Sequence, residues 1–392
     1  MLSYRTAGES HGKGIAALVE GFPAGVVIDT DYIASELRRR QCGYGRGGRQ
    51  NIETDSAEVM TGILHGVSMG SPILLWVKNR DYKLETMPEL VRPRPGHGDL
   101  SGSVKFFSGI RAILERASAR ETAGRVAAGA LARLLLREVG IELVGYVQRA
   151  GGVDLTPDPS VWEKTPAEIR AARDQSELFA LANPEAEAKA KQAIDDARSA
   201  GDTLGGVVEV RVFNVPFGLG AHTQWVNKLD GKLARAIASI QAFKGVEIGD
   251  GFKLAELRGS QAHDEIGWNE EGRGTRRQGI VRPTNHAGGL ECGMTNGQTI
   301  IIRAAKKPIP TLRKQLKSID LSTKSVEKAS FERSDICAIA AASVVVENVV
   351  GFEIASALVE KFGGDSLREI KDRLDLFERS VAKRLEDGEW MN

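Results

Sequence analysis

Cysteine is scarce in this 392-residue chain, which has three: Cys42, Cys292 and Cys337. Their odd number, wide separation and lack of any C-x-x-C spacing argue against both a disulfide framework and a zinc site. The N-terminal stretch MLSYRTAGES lacks the apolar core of a signal peptide. The longest apolar run, ICAIAAASVVV, stops at Glu347, short of a bilayer span. We therefore expect a cytoplasmic protein that binds no metal and contacts no membrane.

An excess of charge of either sign is also missing, because the chain carries 53 basic and 52 acidic residues. Proteins that bind nucleic acid through its backbone usually have a net basic excess. Against this balance, residues 38–50 stand out: RRRQCGYGRGGRQ contains five arginines, four glycines and no acid. A local basic stretch favours a compact anionic ligand over a polymer. An RGG-type RNA-binding arm is the alternative.

Tandem repeats and regular βα alternation are absent as well, so a doubly wound sheet is not indicated. The GYGRGG motif fits G-x-G-x-x-G, but it follows a predicted helix, DYIASELRRRQ, capped by Thr30 or Asp31. A dinucleotide-binding loop follows a strand instead. We predict an α+β fold in one domain, residues 1–392, with a charged helical insertion at 155–200 and a peripheral C-terminal helix at 365–388.

Hydrophobic periodicity predicts several individual elements. Residues 110–138, rich in Ala, Gly and Ser, are predicted to form one long helix that other elements approach closely, with Arg116 and Arg120 on one face. GGVVEVRVFNVP alternates valines with Glu209 and Arg211, which indicates a strand with one solvated face. QTIIIRAA predicts another strand, and NKLDGKLARAIASI predicts a helix with one apolar stripe.

Three histidines lie in glycine-framed loops: His11 in GESHG, His97 in RPGHGD and His286 in NHAGG. Glycine framing lets a ligand approach the backbone and keeps the imidazole accessible, as a general acid requires. A structural role is the alternative for each. GESHG also fits G-x-S-x-G, so a serine hydrolase with Ser10 as nucleophile is a rival interpretation. That motif needs a preceding strand, and Ser10 has only nine residues before it.

Seven stretches, taken together and in this order, resemble the chorismate synthase family. They are TAGESHG, RRRQCGYGRGGRQ, RPRPGHGDLSG, ERASARETAGRVAAGA, QAFKGVEIGDGF, NHAGGLECGMTNG and RSDICAIAA. They extend from residue 5 to about residue 345, and leave out the 155–200 insertion and the final helix. Several are long and mutually independent, which makes the resemblance specific.

The resemblance implies a reaction, a cofactor and an assembly. By this resemblance the chain would convert 5-enolpyruvylshikimate 3-phosphate to chorismate by anti-1,4-elimination of phosphate and a ring hydrogen, in aromatic amino acid biosynthesis. Reduced FMN would be required but not consumed. The implied fold is a β-α-β sandwich assembled as a homotetramer. The sequence contains neither a Rossmann unit nor a separate reductase domain, so we expect a lyase that needs an external flavin reductant.

The implied substrate is strongly anionic. It carries two carboxylates and a phosphate of about −1.5 to −2, so about −4 in total. Guanidinium groups bind both anions bidentately and can stabilise a departing phosphate. The substrate-binding residues expected from the family are Ser10, Arg40, Arg46, Arg49, Arg120 and Arg333. For Arg40 and Arg46, a nicotinamide phosphate (NADP) is the alternative partner, and Arg38 and Arg39 are expected to be surface charges.

The resemblance also implies flavin contacts, motif by motif. Phosphate and isoalloxazine oxygens would accept hydrogen bonds from donors in RAS, in the first two residues of QAFKG and in KPIPT. The flavin-binding residues expected from the family are Arg116, Ala117, Ser118, Gln241, Ala242, Cys292, Lys307, Pro308, Ile309, Pro310, Thr311 and Arg333. Cys292 departs from the family pattern, in which glycine is commoner at this position. We expect a small thiol beside the flavin to be tolerated.

Three residues match the family's catalytic positions. His11 resembles the acid that protonates the departing phosphate, and His97 the group that protonates or stabilises the reduced flavin. Asp335 is expected to assist flavin N5 in removing the ring proton. Two structural roles are the alternative for Asp335: an ion pair with Arg333, and the N-cap of a helix that begins within ICAIAAASVVV. The resemblance leaves open whether the intermediate is a radical or a cation.

Overall fold

Two antiparallel sheets form the frame of the protein in a computed structural model that describes residues 1–47, 55–332 and 334–388. The first sheet has the strand order β1 (Ser3–Gly8), β2 (Gly14–Glu20), β6 (Ile73–Lys78), β3 (Ala57–Val59). The second has the order β10 (Phe243–Ile248), β15 (Ile300–Lys306), β9 (Gly206–Phe213), β7 (Glu142–Ala150), β8 (Val153–Asp154). Two-stranded ribbons are formed by β4 (Ile63–Leu64) with β5 (Val67–Ser68), β11 (Gly267–Trp268) with β12 (Ile280–Val281), β13 (Leu290–Glu291) with β14 (Met294–Thr295), and β16 (Lys317–Ile319) with β17 (Val326–Lys328).

Helices fill the space between the two sheets and also cover the outside. In chain order they are α1 (Thr30–Gln41), α2 (Asp99–Phe106), α3 (Ile110–Ala117), α4 (Thr122–Glu138), α5 (Pro166–Asp174), α6 (Pro184–Ser199), α7 (Leu229–Ala238), α8 (Gly259–Ala262), α9 (Ile339–Phe362) and α10 (Leu367–Asp387). Helix α4 packs on β2 and β6, whereas α9 packs on β7 and β9, and the two helices pack on each other. This arrangement confirms the predicted α+β class and the β-α-β sandwich.

The small residues of α4 allow a close helix–helix contact in the middle layer. A Cβ atom added to Gly129 would lie only 2.3 Å from the backbone oxygen of Asn348 on α9. Gly124 faces the first sheet, where an added Cβ would lie 3.0 Å from side-chain atoms of Thr6 and Ile15. Larger side chains would force these layers apart, so the predicted close approach to this helix is confirmed.

The long helix α9 continues well beyond the point that the apolar run suggested. Among the described residues, α9 alone is long and apolar enough to cross a bilayer. However, 83% of its most apolar 18-residue segment is buried inside the protein. Glu347 does not end the helix, because its carboxylate is fully buried and accepts hydrogen bonds from Arg39, Arg133 and Arg173. Burial of this kind is typical of a core helix.

The prediction of one continuous helix over 110–138 was wrong. Helix α3 ends at Ala117, a 3-10 turn follows at Ala119–Glu121, and α4 begins at Thr122. Ser118 between them has an extended backbone, with φ −65° and ψ 144°, and its hydroxyl accepts a hydrogen bond from the N–H of Arg120. A serine that captures a backbone donor in this way competes with helical hydrogen bonding. Arg116 and Arg120 therefore lie on opposite sides of a break and share no face.

The predicted solvated face of strand β9 was also wrong. Glu209 is almost fully buried, because its carboxylate accepts hydrogen bonds from the Tyr146 hydroxyl and from the Nε groups of Arg211 and Arg303, at 2.6 to 2.8 Å. The apolar stripe of α7 is confirmed, with Leu229, Leu233 and Ile237 fully buried. Residues 155–200 contain α5 and α6, and α10 packs its first turns against the α9 end of the core.

Candidate functional site

His11 is held by a buried glutamate. It lies in the loop between β1 and β2, and its Nδ1 is 2.9 Å from Glu115 Oε1 on α3, while its backbone N–H donates to Oε2 of the same carboxylate at 2.7 Å. Its Nε2 lies 4.0 Å from Asp81 Oδ2. With Nδ1 engaged, Nε2 is the atom that can exchange a proton with a ligand. The sequence analysis missed Glu115, because a glutamate on an amphipathic helix carries no signal of burial.

The carboxyl of Glu115 remains ionised in this setting. Burial acts to raise the pKa of Glu115, but hydrogen bonds from the imidazole and the backbone of His11 outweigh it, so the pKa lies below its usual value. The neighbouring Ser10 is buried as well, and its backbone N–H donates to the carbonyl of Glu115. Ser118 Oγ lies 3.1 Å from Ser10 Oγ. A histidine paired with an ionised carboxylate is suited to general acid chemistry.

His97 forms a second histidine–carboxylate pair, at the entrance to α2. Its Nδ1 lies 2.5 Å from Asp99 Oδ1, and Arg94 binds the same carboxylate through Nε at 2.8 Å. Burial acts to raise the pKa of Asp99, but the hydrogen bonds from His97 and Arg94 hold it well below its usual range. Arg94 also donates to Thr311 Oγ1, and Lys307 Nζ donates to the carbonyl of Gly96. The loop is therefore tied to the KPIPT stretch.

Arg40 and Arg120 share one buried carboxylate. Arg40 Nη2 lies 2.5 Å from Asp55 Oδ2, and Arg120 Nη1 lies 2.7 Å from the same oxygen. Arg120 also donates through Nε to Asn79 Oδ1 at 2.8 Å. Burial acts to raise the pKa of Asp55, but the charges of the two arginines outweigh it and lower the pKa. Among the described residues, two cations thus share one carboxylate.

The arginines of the basic stretch separate into different environments. Arg38 is exposed, as predicted. The prediction of Arg39 as a surface charge was wrong, since its guanidinium reaches inward and pairs with Glu36 and Glu347. Arg39 and Arg40 are neighbours on α1 and differ by about 100° around the helix axis. Arg39 therefore reaches the core while Arg40 reaches Asp55. Arg49 lies outside the described residues.

Asp335 pairs with Arg46 across a long sequence separation. Arg46 Nη1 donates to Asp335 Oδ2 at 2.8 Å, and the N–H of Gly47 donates to Oδ1 at 2.6 Å. The expected N-cap role of Asp335 was wrong, because α9 begins at Ile339 and its N-cap residue is Ala338. Arg333, the other expected partner, lies outside the described residues. The Ser334 hydroxyl contacts the carbonyl of Thr311, which links this segment to KPIPT.

Hydrogen bonds connect the RAS, QAFKG and KPIPT segments, which contain most of the residues expected to contact flavin. Arg116 donates to the carbonyl and to the hydroxyl of Thr6. The Thr6 hydroxyl in turn donates to Glu121. The carboxylate of Glu121 also accepts from Gln241 Nε2 at 3.0 Å. In the next residue, Ala242, the carbonyl accepts from the N–H of Lys307. A Cβ added to Gly98 would lie 3.9 Å from the Cβ of Ala117, so the loop that carries His97 lies next to the RAS segment.

Two features of these segments fit a flexible polar cofactor with many acceptors and donors. The Gln241 Oε1 atom is shielded from solvent and has no hydrogen-bond partner within the described ranges. Ala242 has φ +70°, in the left-handed region that a side chain normally avoids. Unsatisfied polar atoms and backbone strain both concentrate at binding sites. These features fit the reduced FMN that the resemblance implies.

Cys292 is not brought together with these residues in the chain described. It lies in the turn between β13 and β14, with φ +50°, and the N–H of Leu229 donates to the carbonyl of the adjacent Gly293. The turn thus lies at the N-terminal end of α7, whereas Gln241 follows its C-terminal end, about 15 Å along the helix. His286 pairs with Asp250, also at this far end.

Comparisons with known proteins agree over nearly the whole chain. A family model described as Chorismate synthase matches residues 2–359. A protein of Moorella thermoacetica named chorismate synthase is 50% identical over 98% of this chain and all of its own length, and one of Trichlorobacter lovleyi is 51% identical over 95% and 98%. A solved structure titled "Crystal Structure of Chorismate Synthase" has a TM-score of 0.79 and 40% identity, covering 97% of this chain and 98% of its own.

Proposed function

The chain belongs to the chorismate synthase family, and we propose that it converts 5-enolpyruvylshikimate 3-phosphate to chorismate and phosphate with the help of reduced FMN. As a member of this family, the chain is a carbon–oxygen lyase of aromatic biosynthesis. The observation that carries the proposal is the His11–Glu115 pair, which engages only Nδ1 of the imidazole. The carbonyls of the same loop bind Asn79, which in turn accepts from Arg120. A serine hydrolase centred on Ser10 is disfavoured, because its hydroxyl is buried against Ser118 rather than against a histidine.

His11 is proposed to donate the proton that the leaving phosphate needs. Glu115 accepts from Nδ1, which fixes the orientation of the ring, so that Nε2 can donate to a phosphate oxygen. The guanidinium groups of Arg40 and Arg120 would stabilise the charge that grows on that phosphate. Arg40 and Arg46 as contacts of a nicotinamide phosphate remain the alternative proposal.

Asp335 is proposed to receive the ring proton at the other side of the site. Its two oxygens are oriented by Arg46 and by the backbone of Gly47, so the carboxylate has one geometry in which to accept a proton. His97 is proposed to hold or move a proton at the flavin, oriented by Asp99. Reduced FMN, when bound, supplies electron density to the substrate ring. The residues that would hold it are those of RAS, QA and KPIPT.

An anaerobic assay tests the proposal directly. Purified protein, chemically reduced FMN and 5-enolpyruvylshikimate 3-phosphate should give equal amounts of phosphate and chorismate. His11→Ala should lower turnover about 10²- to 10⁴-fold, as expected for the loss of a general acid, with flavin binding retained. His97→Ala should change the absorption spectrum of bound reduced flavin. His222→Ala, at an exposed histidine, is the control and should leave both unchanged. Substrate left untouched by the wild type, together with a shift of labelled RNA at physiological salt, would favour the RNA-binding alternative.

The assembly, the reductant and the location complete the proposal. We expect a cytoplasmic homotetramer whose flavin is reduced by an external system. Mass photometry should report four copies, and cell fractionation should recover the protein with cytosolic markers. Turnover with NADPH and oxidised FMN alone would show that the protein reduces its own flavin.

A further inference from the structure

Lys306, beside the candidate site, has no role in the proposed elimination. Lys306 is the last residue of β15, directly before Lys307, whose amine donates to the carbonyl of Gly96. Lys306 as a whole is half-buried, but its Nζ is shielded from solvent. That nitrogen has no hydrogen-bond partner in residues 1–47, 55–332 and 334–388. Buried amines are normally paired, so a lysine in this state calls for an explanation.

Three chain segments converge on this lysine. Lys306 pairs with Gly206 of β9, and Leu204, two residues earlier, forms a bridge with Cys337. The N–H of Cys337 donates to the carbonyl of Gly45, close to Arg46 in sequence. The Lys306 amine consequently shares its electrostatic environment with Asp335, Arg46 and the buried thiol of Cys337. Lys306, Arg46 and Asp335 are called the Asp335 cluster below.

The charges of the Asp335 cluster are unbalanced. Within the described part of the chain, two cations, Arg46 and Lys306, meet one carboxylate, and that carboxylate is already engaged by Arg46 and by the N–H of Gly47. Arg46 keeps a second unused donor, because its Nε is also buried without a partner among the described residues. Burial lowers the pKa of the Lys306 ammonium, as expected for a cation lacking a full counter-charge. An anionic oxygen that reached both donors would satisfy them at once.

We propose that Lys306 Nζ and Arg46 Nε form an anion subsite for the substrate, in which they bind one of its carboxylate or phosphate groups. The inference rests on the proposed function for the identity of that substrate. Lys306 then contributes substrate affinity, while Asp335, oriented by Arg46, remains the proton acceptor. The subsite also explains why a shielded amine has no partner in the protein, since the bound anion would supply one.

The experiment replaces Lys306 by methionine, which keeps the length of the side chain and removes its charge. Lys306→Met should weaken substrate binding and raise KM by roughly 10- to 150-fold, the loss expected for one charge-assisted hydrogen bond. The affinity for FMN should stay unchanged. Lys244→Met is the matched control, since Lys244 lies on the adjacent strand β10, next to the residue that pairs with Lys306, and is exposed. It should leave KM unchanged.

Calorimetry with inorganic phosphate and with chorismate, which has carboxylates but no phosphate, identifies the bound group. The subsite is for phosphate if Lys306→Met weakens phosphate binding, and for a carboxylate if it weakens chorismate binding. These titrations need no turnover, so they remain informative if the elimination reaction is not observed and the proposed function fails. Lys306→Arg keeps the charge and should retain most of the affinity, which guards against a folding defect in Lys306→Met. A folded Lys306→Met with wild-type affinity for both ligands, or one that loses FMN equally, overturns the proposal.

Discussion

Two groups of charged residues differ in burial and in how fully their members are paired. The core cluster consists of Glu36, Arg39, Arg133, Arg173 and Glu347 in the layer between the sheets. Arg39 and Arg133 each bind both glutamates through their two terminal nitrogens, at 2.5 to 2.8 Å. Arg173 adds a bond to Glu347 at 3.1 Å, and Asn348 donates to Glu36.

The Asp335 cluster is less complete. Arg46 uses one terminal nitrogen on Asp335, and the Lys306 amine has no partner in the part of the chain that the structure describes. The two clusters also differ in burial, since Glu347 is fully buried whereas Arg46, Asp335 and Lys306 are half-buried, with the Lys306 Nζ and Arg46 Nε atoms shielded from solvent. Each guanidinium of the core cluster binds at least one carboxylate, although Arg39 Nε has no partner among the described residues. The Lys306 ammonium, by contrast, has no partner there at all, and such a group keeps affinity for a ligand. Loss of a charge should therefore affect stability in the core cluster and ligand binding or turnover in the Asp335 cluster.

Glu347→Gln should give the largest effect, on stability. It removes the charge of the one carboxylate that Arg39, Arg133 and Arg173 all bind, and breaking a buried pair typically costs about 3 to 5 kcal/mol. Urea unfolding at fixed protein concentration measures the free energy of unfolding. Glu360→Gln is the control on the same helix: its partner Lys232 is near the surface, so a change below about 1 kcal/mol is expected. A Glu347→Gln protein as stable as the control would remove the distinction between the clusters.

Asp335→Asn should have the opposite pattern, with stability close to wild type and turnover lower by about a hundredfold or more. An amide can keep one hydrogen bond to Arg46 but cannot accept the ring proton. With deuterium at the abstracted ring position, the isotope effect should rise because proton removal becomes more rate-limiting. If turnover and isotope effect both stayed at wild-type values, Asp335 would be a structural partner of Arg46 alone.

Arg46→Ala should weaken substrate binding by roughly 10- to 150-fold, or about 1.5 to 3 kcal/mol, because a charged hydrogen-bond partner is lost. The affinity for FMN should change far less, and calorimetric titration of the two ligands compares them. Arg38→Ala, at an exposed arginine of the same basic stretch, should change neither. Equal losses for substrate and flavin would contradict a substrate role for Arg46.

Acid should weaken the core cluster in a defined range of pH. Burial acts to raise the pKa of Glu347, but the charges of Arg133, Arg39 and Arg173 outweigh it and lower the pKa from 4.5 to about 2. The unfolded chain therefore takes up the proton first, so stability is present above pH 4.5 and is lost as the pH falls toward about 2. Urea unfolding across this range should show the loss.

The smallest effect is expected at Glu353, on the same helix. Burial raises the pKa of Glu353, only partly offset by Arg235 and Lys232, so its ionised form opposes folding. Glu353→Gln should therefore raise the free energy of unfolding slightly at neutral pH, and the gain should vanish as acid protonates the wild-type residue. A loss of stability at neutral pH would mean that Glu353 is paired favourably.

Local patterns in the sequence were sufficient for the fold class and several elements. The valine alternation of β9 and the apolar stripe of α7 come from periods of 2 and 3.6 residues, and such periods depend only on neighbours along the chain. The family motifs identified His11, His97 and Asp335 as candidates for the same reason, since each motif is continuous. The GESHG loop predicted an accessible histidine without any knowledge of its partner.

Pairing across the chain was decided by the tertiary structure alone. Glu115 reaches His11 from 104 residues away, and Arg46 reaches Asp335 across 289 residues. Whether Glu347 ends an apolar run or lies within a helix depends on arginines brought to it by α1, α4 and α5. A charged residue has the same local pattern whether it is solvated or buried with a partner. The free energy that separates the two cases comes from desolvation and from the partner's position, and only folding determines both.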